Sequence, residues 1–121
     1  MIICTKVRDG DKRIVDIKEG EPKGKHVFIV DDLVKTGGTL IECKGALKKK
    51  GAAKVSAFVT HCVFPQESWK RFTDAPDEEK FDHFYVTDSC SVPCQEIMGK
   101  KPFHIIPLAS SIVDCINHYN L

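Results

Sequence analysis

The fold is decided by residues 27–39, which read Val27-Phe28-Ile29-Val30-Asp31-Asp32-Leu33-Val34-Lys35-Thr36-Gly37-Gly38-Thr39. The four apolar residues 27–30 predict a buried strand, and two adjacent carboxylates follow at its carboxyl end. A small turn with two glycines comes next, and the residues from 40 onward have the pattern of a helix. Because open α/β sheets bind their ligands outside the carboxyl ends of strands, this turn is the first candidate for a functional site.

The residue types in this turn predict a sugar-phosphate site. The amino terminus of the helix offers backbone N–H groups to an anion, and Gly37 and Gly38 let the backbone approach a phosphate without an intervening Cβ. Asp31 and Asp32 would repel a second phosphate, but carboxylates accept hydrogen bonds from hydroxyls. The alternative is an ordinary strand-to-helix turn, in which an aspartate caps the helix and glycine relieves strain.

Strands and helices alternate along the chain, which predicts an α/β fold with a parallel sheet and right-handed crossovers. The predicted strands are residues 1–5, 27–30, 55–63, 81–87 and 103–108, and the predicted helices are residues 38–50, 68–72, 92–99 and 110–117, the last with a serine cap. Residues 14–17 are expected to form one arm of a hairpin that returns through Gly20, Pro22 and Gly24. The highly charged residues 6–12 predict a mobile loop.

Length and composition indicate one globular domain over residues 1–121. The chain is 42% hydrophobic and 29% charged, and its formal net charge of +1 gives no electrostatic case for binding nucleic acid. No apolar stretch approaches the ~20 residues of a membrane helix, so we expect no membrane partner. Residues 1–6 do not resemble a signal peptide, and six cysteines without an export signal favour reduced thiols and a cytoplasmic location.

The cysteines divide into two groups. Those within apolar segments are predicted to be small core residues: Cys4, Cys43, Cys62 and Cys115. Cys90 and Cys94 have the spacing C-x₃-C, for which a structural zinc site is an alternative to simple packing. No metal-ligating residue is assigned from the sequence.

The motif at residues 31–39 resembles the phosphoribosyl-binding signature of the phosphoribosyltransferase superfamily: an apolar strand, two acids and Thr-Gly-Gly-Thr. Residues 4–8, 10–15, 31–43, 55–61 and 87–90 narrow the resemblance to the ribose-phosphate pyrophosphokinases, in their plant-like, phosphate-independent class. These enzymes make phosphoribosyl pyrophosphate (PRPP). The resemblance implies a type I phosphoribosyltransferase-like fold, with a flexible loop or hairpin, and a chain that matches the carboxyl-terminal half of a two-domain synthetase.

The resemblance also implies a reaction and a set of site residues. The family transfers the diphosphoryl group of ATP to the anomeric hydroxyl of ribose 5-phosphate, with Mg²⁺, for nucleotide biosynthesis. The ribose 5-phosphate site would comprise Asp31, Asp32, Lys35, Thr36, Gly37, Gly38 and Thr39. Lys6 and Arg8 would be the catalytic pair on a loop that closes over the reacting phosphates. We expect a homo-oligomeric full-length parent and an incomplete, inactive isolated chain.

Two departures from the family pattern are visible. Lys35 stands where the phosphate-dependent class has a third acid, which fits the plant-like class, and Cys62 stands where relatives carry glycine. Three other functions remain open: a nucleobase phosphoribosyltransferase, a noncatalytic PRPP-synthetase-associated or regulatory protein, and a sugar-phosphate-sensing module.

Overall fold

The computed structural model describes residues 2–9 and 12–119 of the chain. A four-stranded parallel sheet has the strand order β3-β4-β5-β6, and β1 and β2 form a separate antiparallel hairpin. The predicted α/β fold, with a parallel sheet and flanking helices, is confirmed. The elements are β1 (Ile3–Asp9), β2 (Lys12–Glu19), β3 (His26–Val34), α1 (Gly38–Lys49), β4 (Lys54–Cys62), a 3₁₀ turn (Pro65–Glu67), α2 (Lys70–Thr73), a second 3₁₀ turn (Asp77–Glu79), β5 (Phe84–Thr87), α3 (Ser91–Ile97), β6 (Phe103–Ile106) and α4 (Ala109–Tyr119).

Strand β3 is longer than the predicted strand 27–30. Its pairing with β4 continues to Val34, which lies opposite Cys62 and is buried. Asp31 and Asp32 therefore lie inside the strand rather than after it. Pairing with β4 and burial of Val34 outweigh the low strand propensity of two aspartates, a preference that depends strongly on context.

The prediction of a loop over residues 6–12 is wrong for the described residues 6–9 and 12. Residues 6–9 belong to β1, Lys12 begins β2, and the register places Lys6 opposite Val15. Residues 10 and 11 lie outside the described residues. Charge density suggested a loop, but the antiparallel ladder satisfies the backbone hydrogen bonds, and that requirement does not depend on side-chain polarity.

The predicted hairpin also had the wrong partner. Its arm, residues 14–17, pairs with β1, which precedes it, and the segment containing Gly20, Pro22 and Gly24 leads on to β3. Gly24 instead donates its backbone N–H to the Gly51 carbonyl, at 2.8 Å. This contact ties the start of β3 to the end of α1.

The core lies on one face of the parallel sheet. Since right-handed crossovers join strands in the order β3-β4-β5-β6, they place α1, α2 and α3 on the same face. Phe72 of α2 packs there against Phe84 of β5, with ring centroids 4.9 Å apart. The aromatic cluster around this pair comprises Phe64, Phe72, Phe81, Phe84 and Phe103, all buried.

The opposite face of the sheet is open. In register, Val30, Phe58, Tyr85 and His104 form a row across the four strands, and Val30 is 73% exposed. Phe28 and Ile106 are also exposed on this face. We call this surface the open face.

Helix α4 confirms the predicted helix 110–117 but begins at Ala109, so Ser110 is not its cap. None of its described residues is buried, and it exposes Ile112, Val113 and Ile116. Its apolar stripe therefore lacks the cover that the sequence pattern suggested. Within residues 2–9 and 12–119, every helix is too short or too polar to cross a bilayer.

The cysteine predictions are partly confirmed. Cys43 and Cys62 are buried as expected, whereas Cys115 is exposed because α4 stands away from the core. The Cys4 side chain lies outside the described part of the chain. The Cys62 and Cys94 sulfurs are 3.8 Å apart, and Cys94 Sγ donates to the Thr87 carbonyl. Among the described residues, no group of three His, Cys, Asp or Glu side chains could hold a metal ion.

Thiol reactivity should separate these cysteines. Burial, and then the neighbouring Cys94, raise the pKa of the Cys62 thiol to about 12, so its thiolate is scarce in mildly alkaline solution. We expect iodoacetamide to alkylate Cys115 of the native chain rapidly and Cys62 only after unfolding, as mapped by peptide mass spectrometry. The same reaction in guanidinium is the control. Equal alkylation of both residues in the native chain would contradict the burial of Cys62.

Candidate functional site

The turn after β3 lies at the carboxyl edge of the sheet, where open α/β sheets bind ligands. Residues 35–39, here called the glycine loop, comprise the connection from β3 to α1 and the first two residues of that helix. Lys35 and Thr36 are exposed, Gly37 is buried, and Gly38 and Thr39 are half-buried. The structure therefore brings five of the nine predicted site residues together in one turn.

Gly37 is required by its backbone conformation and by its neighbour. Its φ is +84°, in the left-handed region, and it is the last residue before α1. A Cβ at this position would lie 2.6 Å from Phe72 Cε2, far inside a normal contact. Gly38 has no such neighbour; the nearest atom to its Cβ position is Arg71 Nη1, at 4.0 Å.

The loop carbonyls are held by side chains from the segment that includes α2. Ser68 Oγ donates to the Lys35 carbonyl at 3.2 Å, and Arg71 Nη1 donates to the Thr36 carbonyl at 3.5 Å. Together with the Phe72 ring beneath Gly37, these contacts fix three successive residues of the loop.

The amino terminus of α1 presents backbone donors at the same place. The first hydrogen bond back to the loop runs from the Ile41 N–H to the Gly37 carbonyl, at 3.0 Å. The preceding N–H groups of the first turn have no acceptor within the helix, and Gly37 supplies no side-chain cap. Such a terminus favours an anion.

The two acids differ in their surroundings. Consecutive residues of a strand project to opposite faces, and Asp31 is half-buried whereas Asp32 is exposed. Asp31 Oδ1 accepts a hydrogen bond from the Asp32 N–H at 2.9 Å. The acids are therefore adjacent in sequence but do not form a side-by-side pair, which the sequence prediction had not anticipated.

Lys6 and Arg8 lie on β1, in the hairpin, whereas the glycine loop belongs to the parallel sheet. Their side chains lie outside the described part of the chain. The structure thus places the two predicted catalytic residues on a different sheet from β3, which carries the two acids and leads into the glycine loop.

A polar network adjoins the loop at the ends of β4 and β5. Thr87 Oγ1 and Ser89 Oγ both donate to the Thr60 carbonyl, at 2.6 and 3.0 Å, and His61 Nδ1 lies 2.8 Å from Ser89 Oγ. Two of the sequence segments that carried the resemblance, residues 55–61 and 87–90, meet in this network. His61 is exposed.

A cavity of about 750 Å³ lies beside β3, between that strand, α1 and β2. Its lining is largely apolar, with Val27, Ile29 and Leu40 among its walls, but it also includes Asp31 and Thr39. These two residues belong to the predicted site, so the cavity extends to the end of β3 and the start of α1.

The segment between β4 and α2 has a strained backbone. Phe64, Gln66 and Glu67 all have positive φ, at 44°, 54° and 54°. Such residues cost about 1–3 kcal/mol each and persist only where packing holds them. Phe64 is 3% exposed and packs against Phe72, so the aromatic core holds this segment in place.

Sequence reasoning missed the contacts made by Ser68, Arg71 and Phe72. Their spacing predicts one face of a helix, and residues 68–72 were indeed expected to be helical. Nothing in the sequence, however, indicates that this face meets residues 35–37, because the contact spans more than thirty positions of sequence.

Comparison with known proteins agrees with the motif. Residues 5–104 match the family described as "Phosphoribosyl transferase domain". Ribose-phosphate pyrophosphokinase 4 of Arabidopsis thaliana is 56% identical over 117 residues, which are 95% of this chain and 35% of that protein. The mitochondrial ribose-phosphate pyrophosphokinase 3 of Spinacia oleracea is 56% identical over 115 residues, 93% of this chain and 28% of that protein. The chain thus spans about a third of the length of these relatives.

A more distant relative and a solved structure extend the comparison. The ribose-phosphate pyrophosphokinase of Mycoplasma genitalium is 36% identical over 91 residues, 75% of this chain and 27% of that protein. The crystal structure of phosphoribosylpyrophosphate synthetase from Mycobacterium smegmatis matches with a TM-score of 0.68 at 23% identity, over 92% of this chain and 34% of that one. The resemblance to ribose-phosphate pyrophosphokinases inferred from residues 4–90 is confirmed, and the structure has the same fold.

The two glycines of the loop should respond differently to a methyl group. Gly37→Ala combines a left-handed φ with a clash against Phe72, so we expect a loss of roughly 2–4 kcal/mol in the free energy of unfolding. Gly38→Ala, the matched control, should change it by less than about 1 kcal/mol, because space is available there. Urea unfolding followed by circular dichroism measures both. Equal losses would show that the Phe72 contact does not govern the loop.

Proposed function

Because the chain belongs to the phosphoribosyl transferase domain family, we propose that its glycine loop binds the phosphate of ribose 5-phosphate and contributes this site to PRPP synthesis. The observation that carries the proposal is the loop itself. Gly37 closes the turn against Phe72, and the first N–H groups of α1 lie beside it. Names of relatives from plants and a bacterium favour a ribose-phosphate pyrophosphokinase over a nucleobase phosphoribosyltransferase.

The proposal assigns separate parts of the site to the two halves of the ligand. The N–H groups of the loop and the hydroxyls of Thr36 and Thr39 bind the 5-phosphate, and the exposed Lys35 adds a positive charge. Asp31 and Asp32 accept hydrogen bonds from the ribose hydroxyls. Since the two acids project from opposite faces of β3, Asp32 is the more accessible acceptor and Asp31 also supports the backbone.

In the proposed reaction, the anomeric hydroxyl of ribose 5-phosphate attacks the β-phosphorus of ATP and releases its proton to water. The bond from that phosphorus to the oxygen of the α-phosphate breaks, and AMP leaves. Lys6 and Arg8 would stabilise the charge on the transferred phosphates, which is the usual protein contribution to phosphoryl transfer. Their place on the β1–β2 hairpin, outside the parallel sheet, suits an element that approaches the site from another side.

Mg²⁺ belongs to the proposal as a partner of the substrate phosphates. Mg²⁺ is commonly bound through one or two carboxylates plus phosphates, and Asp31 and Asp32 are oxygen donors of the kind it prefers. The described residues contain no three-residue cluster that would hold a metal by itself, and the two acids project from opposite faces of β3, so one of them would hold the ion together with the substrate phosphates. When bound, Mg²⁺ neutralises charge on the nucleotide phosphates.

We also propose that the full-length parent is a homo-oligomer, that it has no nucleic-acid or membrane partner, and that it is cytoplasmic. The name of the spinach relative assigns that protein to mitochondria, so fractionation of the native cell would be needed to test the location.

Asp32→Ala should weaken ribose 5-phosphate binding more than inorganic phosphate binding. Losing a hydrogen bond to a charged acceptor costs roughly 1.5–3 kcal/mol. Only ribose 5-phosphate has sugar hydroxyls that could donate this bond to Asp32. Nuclear magnetic resonance titration of the amide signals of Gly37, Gly38 and Thr39 gives both dissociation constants. Glu42→Ala, which removes an exposed acid from α1, is the matched control. Equal losses for both ligands in Asp32→Ala would assign that residue to loop support instead.

The chain alone should release no AMP from ATP, ribose 5-phosphate and Mg²⁺. The relatives named for this reaction are about three times as long, and precise positioning of the reactants is worth ~7–11 kcal/mol of barrier. A chimera in which this chain replaces the matching third of the Arabidopsis relative should release AMP. A folded chimera that binds ribose 5-phosphate without turnover would favour a noncatalytic, regulatory role.

A further inference from the structure

The contacts between α2 and the glycine loop come from one helical face. The backbone is already helical at Ser68 and Trp69, so Ser68, Arg71 and Phe72 occupy neighbouring positions on that face. They contact, in the same order, Lys35, Thr36 and Gly37. These three contacts fix the distance and the orientation of α2 relative to the glycine loop.

Peptide geometry converts these contacts into a direction for the loop N–H groups. In a trans peptide, the carbonyl of one residue and the N–H of the next point in opposite directions. Because Ser68 holds the Lys35 carbonyl and Arg71 holds the Thr36 carbonyl, the N–H groups of Thr36 and Gly37 are directed away from α2. Two successive N–H groups directed to one side make a concavity that suits an anion.

The side-chain charges of Arg71 and its neighbour Lys70 have different surroundings. The Lys70 ammonium bonds to Glu67 at 2.6 Å. The Arg71 guanidinium, which presents its N–H donors in a planar fork, lies beside Thr36 and Gly38. It can therefore hold the loop carbonyl while keeping a positive charge near the anion.

We propose that Arg71 is a positioning residue of the glycine loop: it fixes the Thr36–Gly37 peptide with the N–H toward the bound phosphate, and Ser68 does the same for the preceding peptide. The inference rests on the proposed function, since it concerns the same phosphate site. The strained segment at residues 64–67 fits this role, because the core holds it in the conformation that delivers α2 to the loop.

The test compares Arg71→Met with Lys70→Met, which removes the same charge from the same helix but does not contact the loop. In the ligand-free 121-residue chain, we expect Arg71→Met to move the amide signals of Gly37 and Gly38, and Lys70→Met to leave them in place. The dissociation constants of both ribose 5-phosphate and inorganic phosphate should rise about tenfold in Arg71→Met, since both ligands use the same N–H groups. Arg71→Lys should restore part of the affinity, and Ser68→Ala should move the Thr36 amide signal.

Several results would overturn the inference. Unchanged loop amide signals in Arg71→Met would do so even if affinity falls, because Arg71 would then act on the ligand directly. Altered amide signals with unchanged affinity in Arg71→Met would also overturn the inference. Lys70→Met effects on the signals and the affinity as large as those of Arg71→Met would overturn it too. If the unmodified chain binds no ribose 5-phosphate, the proposed function fails, and the ligand-free amide signals alone decide whether Arg71 positions the loop.

Discussion

The Phe72 ring lies so close to Gly37 that no side chain fits between them, and this is the constraint on which the site depends. Phe72 is nearly fully buried and packs against four other phenylalanines, so its position is fixed by the core. Gly37 can adopt its left-handed conformation against this ring only because it has no side chain. The position of the glycine loop is therefore a property of the hydrophobic core, and the loop has a defined shape before any ligand arrives.

The same arrangement separates the polar groups of the site by sign. On one side, the loop carbonyls face the Ser68 hydroxyl and the Arg71 guanidinium. On the other side lie the N–H groups of the loop and of α1, which favour an anion. The carboxylates of Asp31 and Asp32 lie on the adjoining strand, β3. A ligand that carries a phosphate at one end and hydroxyls at the other complements this separation, whereas a ligand with two close phosphates would meet Asp31 and Asp32.

The sequence predicted the parallel sheet because periodic apolar runs, such as residues 55–63, decide burial locally. It predicted the glycine loop because left-handed turns and helix starts have specific residue requirements. It failed at residues 6–9 and 12, where backbone pairing overrides composition. It also failed at Cys115, because an apolar helical stripe does not reveal whether another element covers it. The contacts of Ser68 and Arg71 could not be predicted, since they join segments far apart in sequence and use side chains that are common on surfaces.

The open face of the sheet has a consequence for how this sequence can vary. Positions such as Phe84 and Val86, on the face covered by helices, are fully buried, so their tolerated replacements are set by packing within this chain. Positions such as Phe28, Val30 and Ile106 are largely exposed here, so replacing them changes little of the chain's own stability. Parallel sheets normally have both faces covered, and selection on these positions would then reflect the covering surface. Alternate residues of β3 would therefore be under two different constraints: packing within this chain on one face, and any surface that covers the sheet on the other.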